Sequence, residues 1–180
     1  MHQEGPIIFE TARLVVRQYR PDDQENFFAM NGDEEIVRYI RPAKTKEESD
    51  IFLAEVIGYY FENPLYGRWA VNEKQTGNFV GTFALIPIEK TSKMQLGYSL
   101  LKPAWGQGYA TELTKAGLMY VFSKTPLSEI WGITEAGNIP SQKVLLKAGF
   151  KISGSYMDDG KEIFNYLFSK HDVKNYPPVN

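Results

Sequence analysis

A short glycine-rich segment in the middle of the chain has residue types that can bind a phosphate group. It consists of Trp105-Gly-Gln-Gly-Tyr-Ala110 and overlaps the start of a predicted helix. The first turn of a helix has unpaired N–H groups and a partial positive charge. Because Gly106 and Gly108 carry no side chains, their backbone can approach an anion closely. The segment therefore predicts an anion-binding loop, and an ordinary tight turn is the alternative that two glycines alone leave open.

The segment differs from two common nucleotide-binding loops. A P-loop requires Gly-x-x-x-x-Gly-Lys-Ser/Thr, and the sequence contains no such string. A dinucleotide-binding fingerprint requires a third glycine where Thr111 stands, after the first strand of a parallel βαβ unit, whereas the preceding strands here resemble a meander. Glu129 does lie about 20 residues further on, where a ribose-binding acid is expected. A dinucleotide-binding domain is therefore the weaker alternative.

Composition excludes several other kinds of site. The 180 residues include no cysteine and two histidines, His2 and His171, which stand near opposite ends of the chain. Disulfides, a cysteine nucleophile and a histidine-rich metal site are therefore not expected, and we predict no metal. The formal net charge of −2 argues against a nucleic-acid partner. With no apolar run of about 18 residues and no secretory signal, we expect no membrane span and a cytoplasmic location.

The hydrophobic pattern predicts alternating groups of strands and helices. Strands are indicated by β-branched, partly alternating segments, and helices by apolar residues at helical spacing. Thr45 and Glu48 form a capping-box pattern at one helix start, and Gly149 is suited to end another helix. Predicted strands cover residues 13–19, 68–73, 78–88, 94–101, 129–134, 151–157 and 162–168, and predicted helices cover 21–30, 34–39, 45–62, 108–123 and 141–148.

These elements predict a single domain of the α+β (mixed α/β) class. Leaving aside the short piece at 34–39, the order is β-α-α-β-β-β-α-β-α-β-β. This order predicts a central, mostly antiparallel twisted sheet of about seven strands, flanked by helices. The domain would occupy residues 1–180, with its core at 9–169.

Several separate motifs together resemble one known family. The chain is similar to the GNAT superfamily of N-acetyltransferases and, within it, to the RimJ/RimL-like subgroup of ribosomal-protein N-terminal acetyltransferases. The resemblance spans residues 9–169. The motifs that carry it are Thr11-Ala-Arg-Leu-Val-Val-Arg17 with Arg20-Pro-Asp-Asp23, Leu96-Gly-Tyr-Ser-Leu100, Trp105-Gly-Gln-Gly-Tyr-Ala-Thr-Glu112, and Glu135-Ala-Gly-Asn138 with Ser141 and Lys147-Ala-Gly-Phe150.

The resemblance implies acetyl-CoA as the co-substrate and assigns residues to it. The main chain of Tyr98, Ser99 and Leu100 would pair with the pantetheine arm, in a cleft where this central strand separates from the next strand. An amide near Leu100 would face the acetyl carbonyl, and Asn138 and Ser141 would lie near the thiol end of the arm. The CoA pyrophosphate would bind the backbone amides of Gln107, Gly108, Tyr109, Ala110 and Thr111.

The chain departs from the superfamily pattern at two positions. Trp105 stands where the pyrophosphate motif usually begins with Gln or Arg, a change that the subgroup tolerates. Leu145 stands where many members carry a general-acid tyrosine, so that role is vacant here. Among the aromatic residues, packing or a place in the cleft wall is the expected role of Trp69, Trp105, Tyr98 and Tyr156.

Three side chains are candidates for proton transfer in acetyl transfer to an amine. Glu135 is a candidate base, with a solvated loop carboxylate as the alternative interpretation. Ser99 would contact the substrate or protonate the thiolate, or it is an ordinary strand hydroxyl. Ser141 would protonate the thiolate, or it caps its helix. We expect direct attack in a ternary complex, with no acetyl-enzyme.

The acceptor is not determined by the sequence. A protein N-terminus, including that of a ribosomal protein, and a small amine are both compatible with the resemblance, and a homodimer is compatible with family habit. A non-catalytic acyl-CoA-binding module is the alternative function, because the vacant position at Leu145 is compatible with lost turnover.

Overall fold

The computed structural model describes residues 5–175, so His2 and the last five residues lie outside the described part. One eight-stranded sheet forms the centre of the molecule. The predicted mixed α/β fold with a central sheet is confirmed. From one edge to the other, the strands are β1 (Ile7–Glu10), β2 (Leu14–Arg17), β3 (Gly67–Glu73), β4 (Phe79–Pro87), β5 (Met94–Leu100), β6 (Glu129–Glu135), β8 (Lys161–Ser169) and β7 (Lys151–Asp158).

The sheet is antiparallel everywhere except in its middle. Strands β5 and β6 run parallel, and their pairing is limited to Gln95 and Trp131. All other neighbouring strands pair antiparallel over several residues. The expected mostly antiparallel sheet is therefore confirmed, and its one parallel junction is short.

The N-terminal strand predicted at 13–19 is in fact part of a hairpin. Strand β2 ends at Arg17, and β1 precedes it, which raises the strand number to eight. Thr11 forms the turn, because its N–H donates to the Leu14 carbonyl and its hydroxyl accepts from the Leu14 N–H. Strand β1 has no alternating pattern because it is an edge strand whose end residues are exposed, so the sequence does not indicate it.

Five helices cover the two faces of this sheet, and none of those in residues 5–175 is long and apolar enough to cross a membrane. The predicted capping box is confirmed, since the Thr45 hydroxyl accepts from the Glu48 N–H and the Glu48 carboxylate accepts from the Thr45 N–H. The helices are α1 (Gln24–Asn31), α2 (Glu34–Val37), α3 (Lys46–Tyr59), α4 (Tyr109–Lys124) and α5 (Ile139–Lys147).

The aromatic core is divided between the two faces. On the α4 face, the fully buried Trp69 stacks on Phe83, so its predicted packing role is confirmed. A Cβ at Gly117 of α4 would lie only 2.4 Å from the Phe83 ring, so this glycine lets the helix pack closely on the sheet. On the opposite face, Phe27 of α1 contacts Phe52 of α3. The sheet is thus held between α4 on one face and α1 and α3 on the other.

Candidate active site

The glycine loop (residues 105–110) presents an open helix N-terminus. Gly106 and Gly108 have φ angles of 74° and 78°, which side chains other than that of glycine rarely adopt. Gly108 is the N-cap of α4, and no side chain caps the helix there. A Cβ at Gly106 would have no heavy atom within 4 Å, so the space in front of this turn is free. The first amides of α4 therefore remain available to an anion.

The glycine loop is held by an arginine from the turn between β1 and β2. The Arg13 guanidinium donates to the Gln107 carbonyl at 2.9 Å and to the Glu112 carboxylate at 2.7 Å, and it lies 4.5 Å from the centre of the Tyr109 ring. Thr11 donates a further bond of 2.6 Å to Glu112. Burial alone would raise the pKa of Glu112, but its bonds with Thr11 and Arg13 outweigh burial and lower it. This carboxylate is therefore a fixed anchor.

A second contact holds the loop on the side of β3. The Tyr109 hydroxyl donates to the Glu73 carboxylate, and this bond lowers the pKa of Glu73. Neither Arg13 nor Glu73 stands out in the sequence as a partner of the glycine loop, because Arg13 and Gln107 are 94 positions apart. The available indication is that Thr11, Arg13 and Glu112 all belong to the motifs on which the family resemblance depends.

The gap between β5 and β6 is lined by main-chain groups of β5. Beyond the Gln95–Trp131 pair these strands form no further ladder. On its other side, β5 pairs with β4, where the Leu101 N–H donates to the Val80 carbonyl at 2.9 Å. Because alternate residues of a strand bond to the same side, Ser99 directs its main-chain groups to β4, while Tyr98 and Leu100 direct theirs to the gap.

Trp105 has a different role from the predicted one. Its indole N–H donates to the Leu100 carbonyl at 2.7 Å, and the residue is 44% exposed. The interpretation of Trp105 as a packing residue is therefore corrected, since it satisfies a carbonyl at the end of β5 and leaves the Leu100 N–H directed into the gap.

Polar groups from α5 lie against the end of the gap. Asn138 is the N-cap of α5 and accepts from the Ser141 N–H at 3.3 Å, so the alternative that Ser141 caps its helix is wrong. Burial raises the pKa of Tyr98, and the nearby Ser141 side chain partly opposes this shift. The Tyr98 phenol therefore keeps its proton above the usual range and belongs to the wall of the gap. Leu145 is buried against Gly132 in the core. Its hydrocarbon side chain has no proton to donate, so the general-acid position is vacant.

Glu135 ends β6 and is ion-paired. Its carboxylate accepts from the Lys161 ammonium at 2.8 Å, and its side chain is 20% exposed. The hydrogen bond raises the pKa of Lys161. Glu135 is thus a fixed carboxylate rather than a freely solvated one. Ser99 lies on the other face of β5 from Tyr98, opposite Thr82, whose hydroxyl is 2.5 Å from that of Tyr19.

This arrangement is suited to an acyl-CoA. The open N-terminus of α4 can hold a pyrophosphate, and an extended arm with amide groups can bond to the main chain of Tyr98 and to the Leu100 N–H as an added strand would. No group of three His, Cys, Asp or Glu residues among the described residues is placed to hold a metal.

A sheet that opens at one parallel junction, beside an uncapped helix N-terminus, is suited to a CoA-dependent acyltransferase. Residues 13–151 match the acetyltransferase (GNAT) domain, so the chain belongs to this family. It is therefore an acetyl-CoA-dependent N-acetyltransferase, and the family resemblance and the co-substrate predicted from the sequence are confirmed. The dinucleotide-binding alternative is excluded by the same match.

Several known proteins are similar over most of the chain. The N-acetyltransferase YoaA of Bacillus subtilis is 28% identical, over 82% of this chain and 84% of YoaA. A GNAT-family acetyltransferase structure from Bacillus anthracis has a TM-score of 0.80 at 20% identity, over 90% of this chain and 98% of that one. A RimL ribosomal L7/L12 α-N-protein acetyltransferase in complex with coenzyme A has a TM-score of 0.76 at 14% identity, over 91% and 97% of the two chains. These structures share the fold.

Proposed function

We propose that this chain acetylates a primary amine by direct attack on bound acetyl-CoA in a ternary complex, without an acetyl-enzyme. The observation that carries the proposal is the gap beyond the Gln95–Trp131 pair, into which Tyr98 and Leu100 direct main-chain groups. In this proposal the thioester arm lies along the gap, and the amine reaches it from the sheet face opposite α4. The chain has no cysteine that could take the acetyl group first.

Positioning of the thioester is the first contribution of the chain. The pantetheine arm lies along β5, and the Leu100 N–H faces the acetyl carbonyl. When the amine nitrogen attacks the carbonyl carbon, this N–H stabilises the oxyanion, an effect of roughly 3 kcal/mol for one such donor. The amides that bind the pyrophosphate are those of Gln107, Gly108, Tyr109, Ala110 and Thr111.

Removal of a proton from the acceptor is the second contribution. An ammonium group has no lone pair, so it must lose a proton before it attacks. Glu135 accepts this proton directly or through a water molecule. Its bond with Lys161 holds the carboxylate at the end of β6, at the mouth of the gap.

Protonation of the leaving thiolate is the third contribution. Collapse of the tetrahedral intermediate breaks the C–S bond, and the electron pair stays on sulfur. Ser141 donates a proton to the sulfur and regains one from solvent. Asn138 holds the arm close to this group. Because thiols have an ordinary pKa of about 8.5, the leaving group needs little help, so the vacant acid position at Leu145 is compatible with turnover.

The acceptor in this proposal is a protein N-terminus or a small amine. The name of the structurally similar RimL enzyme supports a protein N-terminus. We place the reaction in the cytoplasm, because acetyl-CoA is a product of central metabolism. The acceptor approaches from the sheet face opposite α4. Ser99 contacts it there, because the Ser99 side chain lies on that face of β5.

The test is a thiol-release assay with acetyl-CoA and a panel of amines, with both substrates varied. Intersecting initial-velocity lines are expected, and the mass of the protein after exposure to acetyl-CoA alone should not change at the rate of turnover. Parallel lines together with a rapidly formed acetyl-protein would refute the ternary complex. Tight CoA binding without turnover on any amine, including ribosomal-protein N-terminal peptides, would instead favour a non-catalytic acyl-CoA-binding module.

A further inference from the structure

Three cationic side chains surround one aromatic ring on the sheet face opposite α4. The guanidinium carbons of Arg41 and Arg68 lie 5.2 Å and 5.4 Å from the centre of the Phe52 ring. The Lys44 ammonium lies 5.1 Å from the same ring. Arg68 belongs to β3, Phe52 to α3, and the other two to the segment between α2 and α3. We refer to these four residues as the arginine cluster.

The two guanidinium groups of the arginine cluster have no anionic partner within the described part of the chain. Arg41 donates to the Asn31 side chain at 2.8 Å, while its Nε is buried without any hydrogen-bond partner. Burial and the neighbouring charge of Arg68 lower the pKa of Arg41 to about 10, and burial lowers the pKa of Arg68. Both side chains remain cationic at neutral pH. Two half-buried, like-charged groups without a carboxylate are costly for the fold.

The arginine cluster lies on the sheet face that Gly97 and Ser99 of β5 share. Arg68 pairs with Ala84 of β4, which pairs with Gly97 of β5, and cross-strand neighbours share a face of the sheet. Adjacent strands are about 4.8 Å apart, so the backbone of Arg68 is about 10 Å from that of Gly97. A Cβ at Gly97 would have no heavy atom within 4 Å, so the space directly above Gly97 on this face of the sheet is unfilled. Ser99 is the next residue of β5 on this face.

We infer that the acceptor amine also carries a carboxylate or a similar oxyanion, which binds between Arg41 and Arg68 while the amine reaches the Leu100 end of the gap. This inference rests on the proposed acetyl transfer and specifies the substrate class of the same site. A guanidinium group binds an oxyanion with paired N–H donors, and the buried Arg41 Nε would gain the partner that it lacks. A polycation would be repelled from this face.

The same cluster also promotes the chemistry of the acceptor. Nearby positive charge disfavours an ammonium ion, so the bound amine loses its proton more easily. The arginine cluster thus holds the anionic end of the acceptor, and the neutral amine of the same molecule lies at the Leu100 end of the gap. The oxyanion can be the α-carboxylate of a free amino acid or an acidic side chain close to a peptide N-terminus, and the two sources share this chemistry.

The test uses matched acceptors with and without the anion. One arm compares free amino acids with their α-carboxamides, and the other compares peptides with Asp or Glu at the second position with their Asn or Gln counterparts. The variants are Arg41→Gln and Arg68→Gln, with Arg38→Gln as the control, because Arg38 is an exposed arginine that lies over Tyr39 and outside the cluster.

We expect the wild type to prefer the anionic acceptors at least tenfold in kcat/KM, which corresponds to about 1.4 kcal/mol. Each cluster variant should lose most of this preference through a higher KM for the acceptor. The KM for acetyl-CoA should stay the same in the cluster variants, and Arg38→Gln should behave as the wild type does. Equal rates on acidic and neutral acceptors, or a preference for polyamines, would overturn the inference and leave acetyl transfer intact.

A binding measurement separates this inference from the proposed function. N-acetyl amino acids, which would be the products, should protect the wild type against thermal unfolding in a concentration-dependent manner, and should protect neither cluster variant. This readout does not depend on turnover. Absence of protection in the wild type would also overturn the inference, whereas protection without any turnover would contradict the proposed function alone.

Discussion

The Arg13 guanidinium donates a hydrogen bond of 2.9 Å to the main-chain carbonyl of Gln107. This bond connects the first hairpin of the sheet with the loop that precedes α4. The same guanidinium is paired with Glu112 in the first turn of that helix. The loop therefore has its open amides on one side and a charged support on the other, and the support orients the amides before any ligand arrives.

Replacement of Arg13 should weaken cofactor binding. In Arg13→Gln the bonds to Gln107 and Glu112 are lost, so the amides must be ordered by the ligand itself. We expect the Kd for CoA to rise about tenfold, as loss of a charge-assisted hydrogen bond of ~1.5 kcal/mol implies, with kcat changed little. Isothermal titration measures this effect. Lys151→Gln, which removes an exposed ion pair with Asp172, is the control, and an unchanged Kd in Arg13→Gln would exclude the supporting role.

The glycine at the start of α4 should have two separable functions. Gly108→Ala places a side chain at a φ angle of 78°, which costs roughly 1 kcal/mol of folding free energy. Gly77→Ala is the matched control, because Gly77 has a φ angle of 72° in the turn between β3 and β4. A Cβ at Gly77 would have no heavy atom within 4 Å, and a Cβ at Gly108 would make only an ordinary contact of 3.5 Å with Arg13 Nη2. Urea denaturation should show similar losses for the two variants. Only Gly108→Ala should lose CoA affinity, and a similar loss in Gly77→Ala would indicate that strain alone is responsible.

Glu135 should affect the rate constant rather than cofactor binding. In Glu135→Gln the proton acceptor at the end of β6 is removed, so kcat should fall roughly 100-fold, and the KM for acetyl-CoA should stay the same. Glu129→Gln is the control, since Glu129 begins the same strand at its other end. Steady-state kinetics across a range of pH values distinguish the roles. An equal fall of kcat in both variants would indicate that the substitutions disturb strand β6, and it would contradict a role of Glu135 in proton transfer.

Tyr19, a buried tyrosine whose hydroxyl meets that of Thr82, should make the fold sensitive to alkali. Burial raises the pKa of Tyr19 far above its usual value, so this phenol ionises in the unfolded chain first. Tyr19 contributes fully to the free energy of unfolding below pH ~10. Above that pH the free energy of unfolding should fall by up to about 1.4 kcal/mol per pH unit. Urea denaturation from about pH 8 to about pH 11, a range that spans the titration of an unfolded tyrosine, measures how steeply the free energy of unfolding falls with pH.

The comparison for this experiment is between Tyr19→Phe and Tyr156→Phe. The first variant loses the hydrogen bond with Thr82, so it should be less stable at neutral pH, yet its stability should fall less steeply in alkali. Tyr156 is 44% exposed on β7, so its replacement should leave the slope unchanged. Identical slopes in the wild type and Tyr19→Phe would contradict the prediction.

Local patterns were sufficient to predict the glycine loop and most of the elements. The φ angles of Gly106 and Gly108, the capping box at Thr45 and the start of α4 each depend on a few neighbouring residues, which the sequence displays directly. Strand β1 was missed because a short edge strand needs no alternation of polar and apolar residues.

The supports of the site depend on contacts that no local pattern contains. Arg13 contacts Gln107 across 94 positions, and the arginine cluster unites residues from β3, α3 and the preceding segment. The role of Trp105 was also hidden, because an indole that donates to Leu100 and an indole buried in a core have the same sequence neighbours. Such pairings become visible only when the sheet order is known.

The single residue pair between β5 and β6 has a consequence for the way in which the cofactor enters. Helix α4 contacts both β5 and α5, so it joins the two parts of the sheet that the Gln95–Trp131 pair leaves almost unconnected. No ladder of hydrogen bonds has to open before the arm can insert, so association should proceed in one fast phase. Once inserted, the cofactor bonds to the free edge of β5 and acts as a non-covalent cross-link between parts of the sheet that the free protein joins only weakly.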